Sequence, residues 1–156
     1  MQVHEYRANL SWSGSTGAGY KAYDRTHRVA VPPAQAELVL TSDPAFLGNP
    51  NLVNPEQLLT AAASSCQMLS FLALAARAGL DVVSYEDSAV ATMPMDEARI
   101  TTIVLNPVIS VRVPADPAVV KGLVERAHEE CYIARSLRTS VVVEAEVRVV
   151  VCHNNP

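Results

Sequence analysis

The side chains best equipped for chemistry in this 156-residue chain are its three cysteines, Cys66, Cys131 and Cys152. A thiol becomes a strong nucleophile once it ionises, and a nearby cation both favours that ionisation and holds negative charge developing on a substrate. The bland alternative is that a free cysteine is simply a small buried hydrophobe, which is what most of them are. Cys66 and Cys131 each fall in or just after a predicted helix, 65 positions apart, so the fold alone decides whether they meet. Cys152 lies just past the last predicted strand, near the tail Asn154-Asn155-Pro156, and reads as incidental. His4, His27, His128 and His153 are scattered and no C-x-x-C pair occurs, so neither a metal site nor a cofactor is expected.

The element that must carry Cys66 is framed by Asn54-Pro55-Glu56-Gln57 and Gly79. Asn54 can cap, Pro55 suits a first helical turn whose N–H has no partner, and Gly79 with Asp81 beyond it marks a stop. Between them Leu58–Leu80 is apolar on nearly every side, the pattern of a buried, central helix of about six turns. The small residues Ala61, Ala62, Ala63, Ser64 and Ser65 let a second helix or subunit approach, which places Cys66 at a crowded, partly protected point.

Around this helix the chain reads as strands at Val3–Trp12, Tyr20–Val31 and Ala36–Thr41, with a hairpin across Ser13–Gly19. Strict alternation in the second would set Tyr23, Arg25, His27, Val29 and Val31 on one face, a cation beside an imidazole. The plain readings are a solvated arginine and an ordinary strand histidine. Val82–Thr92 and Ile100–Val113 read as two long strands, Pro107 marking an edge or bulge. A second helix opens at Pro114–Pro117 and runs to about Glu130, where Cys131 follows, and Ser140–Val151 alternates as a final strand. Runs of strands separated by helices, without βαβ winding, predict a single α+β domain over residues 1–156 with antiparallel sheets flanking a long buried central helix.

Composition narrows the function. A hydrophobic content of 49% with 18% charged residues fits a globular protein, and a net charge of −4 with no basic run argues against nucleic acid. The start Met1-Gln2-Val3-His4-Glu5 shows no secretory signal, and Gln57, Ser64, Ser65, Gln67 and Arg77 interrupt the central helix, so a cytoplasmic protein without a membrane span is expected. An odd number of cysteines in a reducing compartment does not read as a structural disulfide set.

Asn54-Pro55-Glu56-Gln57-Leu58-Leu59, then Ala62, Ala63 and Cys66, then a helix ending Ala127-His128-Glu129-Glu130-Cys131, resemble the OsmC/Ohr family, the osmotically inducible and organic hydroperoxide resistance proteins. The resemblance spans nearly the whole chain. It implies an intertwined homodimer with active sites at the subunit interface and a thiol peroxidase that reduces organic hydroperoxides. Cys66 would be the peroxidatic cysteine and Cys131 the resolving one, joined by a disulfide during turnover and reset by a dithiol reductant such as a lipoyl group. The resemblance also implies an active-site arginine held by Glu56, with Arg25 favoured over Arg28 because the segment Tyr23–His27 resembles a Y-x-R-x-H pattern in one branch. One continuous helix would put Glu56 about 15 Å along the axis from Cys66. Either that helix breaks after its first turns, or the arginine bridges from another segment or subunit. Tyr132 stands where some characterised peroxidases have proline, which leaves room for a second reading: a non-catalytic dimeric binder of an apolar small molecule or electrophile.

Overall fold

The structure is a computed structural model and describes residues 1–151; the tail that carries Cys152 lies outside the described residues. The chain divides into two compact units, Met1–Leu58 and the chain from Leu59 on.

In the first unit β1 (Asn9–Ser11), β2 (His27–Ala30) and β3 (Glu37–Leu40) form an antiparallel sheet in that order. The strands are shorter than the alternation suggested. Tyr20–Thr26 is turn and irregular chain, because Asp24 Oδ1 accepts from the Thr26 N–H at 2.8 Å and draws the backbone into a turn. Val29 and Leu40 are this unit's buried apolar side chains, beside the polar Arg25, Thr41 and Asn54. Gly48 allows the loop after β3 to close, since a Cβ there would stand 1.6 Å from the Ser42 carbonyl oxygen.

Helix α1 runs unbroken from Pro55 to Arg77. Asn54 Oδ1 accepts from the Gln57 N–H at 2.8 Å while Gln57 Oε1 accepts from the Asn54 N–H at 3.0 Å, a reciprocal capping box. At the other end Gly79 adopts φ 73°, and the Leu80 N–H reaches the Ala75 carbonyl at 3.0 Å in a Schellman closure. The expectation of burial all round is corrected for the single chain. Ala63, Gln67, Phe71, Leu74 and Ala75 are buried, whereas Ala61, Ser65, Leu69, Ala73 and Ala76 on the far side are exposed. Sheets cover only one side of the helix here.

The second unit corrects the strand plan in one consistent way. Each long predicted strand breaks near its middle, and its halves join different sheets. β4 (Val82–Asp87), β7 (Pro107–Arg112) and β9 (Glu146–Val150) form one sheet, ordered β4-β7-β9. β5 (Val90–Thr92), β6 (Thr102–Leu105) and β8 (Ser140–Val143) form the other, ordered β5-β6-β8. The β7–β9 and β6–β8 pairings are parallel, so these sheets are mixed rather than antiparallel. Pro107 marks a break, not an edge: it starts the central strand of its sheet, where its missing N–H is tolerated. Helix α2 (Pro117–Glu130), capped by Asp116, and the short α3 (Tyr132–Ser136) join β7 to β8.

Two apolar clusters result. Phe71, Leu74 and Ala75 of α1 pack with Ile109, Val111, Val120, Val124 and Ala127. Ala63 packs with Ile100, Ile103 and Leu105, against which Leu59, Ile133 and Leu137 lean. The line between them is stitched by polar groups. Asp87 accepts from the Asn106 N–H at 2.7 Å and from Ser64 Oγ at 2.5 Å, and Asn106 Nδ2 donates to the Ser88 carbonyl at 3.0 Å. Asp87→Ala should therefore cost roughly 2–3 kcal/mol in urea unfolding, because two donors lose a charged acceptor, and Ser64→Ala about 1 kcal/mol. Equal and negligible losses would remove the stitch from the account of the fold.

Candidate functional site

Cys66 lies in the middle of α1, half-buried, one residue before the fully buried Gln67 and between the parts of the helix that serve the two clusters. Cys131 ends α2 and caps α3; its Sγ accepts from the Ala134 N–H at 3.5 Å, and it is 1% exposed. The topology thus delivers both cysteines to the same junction. Their side chains are close enough for Cys66 to influence the Cys131 thiol, and both are free thiols.

Burial pushes the Cys131 thiol above its ordinary value, and the hydrogen bond and charge of Cys66 push it the same way; the N–H groups of Ala134 and Ile133 oppose this more weakly. Cys131 therefore keeps its proton. A buried thiol near a more accessible one suits the second step of a disulfide closure, since it attacks only a sulfur brought to it.

Arg25 and Glu56 belong to the first unit. Arg25 is 9% exposed, and its guanidinium donates to the carbonyls of Tyr23 and Tyr20, each at 2.7 Å. It also stacks on those residues' rings, 4.0 Å from the Tyr23 centroid and 4.8 Å from that of Tyr20. Trp12 meets Tyr23 edge-on at 6.1 Å and donates from Nε1 to the Asp24 carbonyl at 2.8 Å, closing the box. Arg28 is on the exposed side, paired with Glu37. The two arginines thus part company: one is enclosed, the other solvated. His27 Nδ1 is 2.9 Å from the Arg25 carbonyl oxygen. Trp12, Thr16, Tyr23, Arg25, His27 and Pro55 contribute to a cavity of about 340 Å³, a volume at the small end of ligand pockets. Glu56 stands half-buried in the first turn of α1, where a carboxylate complements the helix dipole. With α1 unbroken, the expected alternative of a helix interrupted between Glu56 and Cys66 is excluded.

Two features escaped the sequence reading. The aromatic box around Arg25 could have been suspected because Trp12, Tyr20 and Tyr23 crowd one short segment of a chain with few aromatics. Gln67 could have been found from its spacing, four residues from both Ala63 and Phe71 on the buried stripe. Among the described residues no group of three or more His, Cys, Asp or Glu side chains is arranged to hold a metal ion.

A family model described as OsmC-like protein matches residues 48–146. The chain is similar in structure to an OsmC-like protein of unknown function from Vibrio cholerae, with a TM-score of 0.81, 28% identity, and 92% of this chain and 100% of that one covered. An organic hydroperoxide resistance protein from Legionella pneumophila gives a TM-score of 0.66 at 18% identity, covering 96% and 100% of the two chains. One from Bacillus subtilis gives 0.60 at 17%, covering 93% and 98%. These last two likenesses concern the fold alone. No curated protein matches the chain.

The raised Cys131 value has a testable sign. A group whose proton is held more tightly in the fold stabilises fully below its ordinary value, near 9 for this thiol, and that contribution is lost as pH rises through it toward the folded value. Tyr85, raised by burial and then by Asp87, adds a similar loss only further into alkali. Between about pH 8.5 and 10 the wild-type protein should lose urea stability more steeply than Cys131→Ser. Parallel slopes would mean that the fold does not hold the Cys131 proton.

Proposed function

The chain belongs to the OsmC-like protein family, and on that footing we propose that it is a thiol-dependent peroxidase reducing organic hydroperoxides. The observation that carries the reading is the proximity of Cys66 and Cys131, two free thiols from distant parts of the sequence that the fold brings to one junction. In this reading the Cys66 thiolate attacks the outer peroxide oxygen, the O–O bond breaks, and the alkoxide takes a proton and leaves as alcohol. Cys66 is left as a sulfenic acid. The Cys131 sulfur then attacks the Cys66 sulfur, its proton goes to the departing hydroxide, and water leaves as the disulfide forms. A dithiol reductant of the lipoyl type restores both thiols by exchange and is itself oxidised to a disulfide.

Arg25 is assigned the cation that holds charge on the peroxide oxygens and Glu56 the carboxylate that orients it, acting from another segment or from a second subunit. A homodimer is part of the proposal. It is supported by the apolar side of α1 left open in one chain, where Leu69 is 60% exposed, and by a first unit with few buried apolar side chains. A cytoplasmic setting fits recycling by a dithiol. The second reading, a dimeric binder of an apolar small molecule or electrophile, draws its support from the cavity beside Trp12 and Arg25.

Consumption of cumene hydroperoxide with dihydrolipoamide separates the two. Turnover should be faster than with hydrogen peroxide and fall by about a thousandfold or more in Cys66→Ser. Cys131→Ser should complete the first reduction and stop, with a sulfenic acid trapped by dimedone at Cys66. Absence of turnover with several dithiols, and alkylation of Cys66 no faster than a free cysteine, would leave the binder.

A further inference from the structure

We infer that Gln67 is a positioning residue for the Cys66–Cys131 pair, holding α1 and α2 in the register at which the two sulfurs meet; the inference rests on the redox pairing proposed above. Gln67 is fully buried beside Phe71 and Val124, the residues of an otherwise apolar cluster. Its Nε2 donates to the Val124 carbonyl at 3.0 Å, while its Oε1 is buried without a hydrogen-bond partner. As a packing residue this is a poor choice, since an unbranched apolar side chain of the same length would fill the space and orphan no oxygen. The amide adds a directional grip, which apolar packing lacks.

That grip falls where the cysteines need it. On α1 it adjoins Cys66. On α2 it holds the carbonyl two turns before the helix hands over to Cys131, whose own N–H is bonded to the His128 carbonyl at 3.3 Å. A slip or roll of one helix on the other would separate two sulfurs that must come within a covalent bond length, and disulfide geometry tolerates little error.

The test uses the full-length chain in glutathione buffers. Two protein thiols and one glutathione disulfide exchange to give the protein disulfide and two glutathione thiols, so the equilibrium is read without any hydroperoxide. A merely structural role would change the stability of reduced and oxidised protein alike and leave this equilibrium where it was. In Gln67→Met the equilibrium should shift at least tenfold toward the dithiol, a change of about 30 mV in potential, with urea stability of the reduced form equal to or above wild type. Gln67→Leu serves as a second variant should the first fold poorly. A shift of less than threefold in the folded variants would overturn the inference about Gln67 and leave the pairing intact. Failure of the wild type to form the disulfide at any glutathione ratio would overturn the pairing itself, and the inference with it.

Discussion

The hydrogen bonds at Asp87 set the geometry of the second unit. Three extended segments change sheets there, and a chain that changes sheets exposes backbone N–H and C=O groups to a region that is no longer ladder. Asp87 and Asn106 satisfy part of that demand, and the Glu144 N–H reaches the Leu105 carbonyl at 2.8 Å across the next break. Because Ser64 donates to the same carboxylate, α1 is fixed at the level of the break and not at an arbitrary height along the sheets. Cys66 lies two residues further on. The location of the thiol therefore follows from a polar constraint in the strands.

The same constraint explains why Cys131 arrives there. Helix α2 serves one apolar cluster through Val120, Val124 and Ala127, and α3 serves the other through Ile133. The residue between two helices seated on different sheets must lie at the boundary between them, and that residue is Cys131. Burial then raises its thiol, while its place as the cap of a short helix gives its sulfur a backbone donor. The larger effect is burial, so the sulfur stays protonated, and under the proposed mechanism the more accessible Cys66 is the one that acts first.

Much of this was legible in the sequence, and what was missed has a physical pattern. Local signals were sound: Asn54, Pro55 and Gln57 frame the start of α1, Gly79 its end, and Asp116 with Pro117 the start of α2. The family was readable from the motif at Asn54–Leu59 together with the two cysteines. The broken strands were not, because a segment such as Ile100–Val113 keeps its apolar content while its halves pair with different partners, and only Asn106-Pro107 hints at the joint. Parallel pairing was missed for the same reason: alternation reveals which residues face inward but not which strand lies alongside. For the candidate site, enclosure of Arg25 depended on rings at Tyr20 and Tyr23 whose irregular backbone defeats a period-two reading. Buried Gln67 looked like an interruption because polarity alone does not show which face of a helix a residue occupies.

The exposed side of α1 bears on the chemistry as well as on assembly. A thiol peroxidase must keep water away from the thiolate and still admit an apolar substrate, requirements met by low-dielectric walls with a narrow polar opening. One chain leaves one side of such a wall open: on the helix that carries Cys66, Ala61, Ser65, Leu69, Ala73 and Ala76 are exposed. The first unit, taken by itself, encloses a cation at Arg25 but has little apolar core of its own. Under the proposed dimer, covering the open face of α1 would also dry the surroundings of the thiols. Association would then be a condition of reactivity and not an addition to a finished enzyme, and the two thiols would meet within one chain while the environment that makes them selective would be assembled from two.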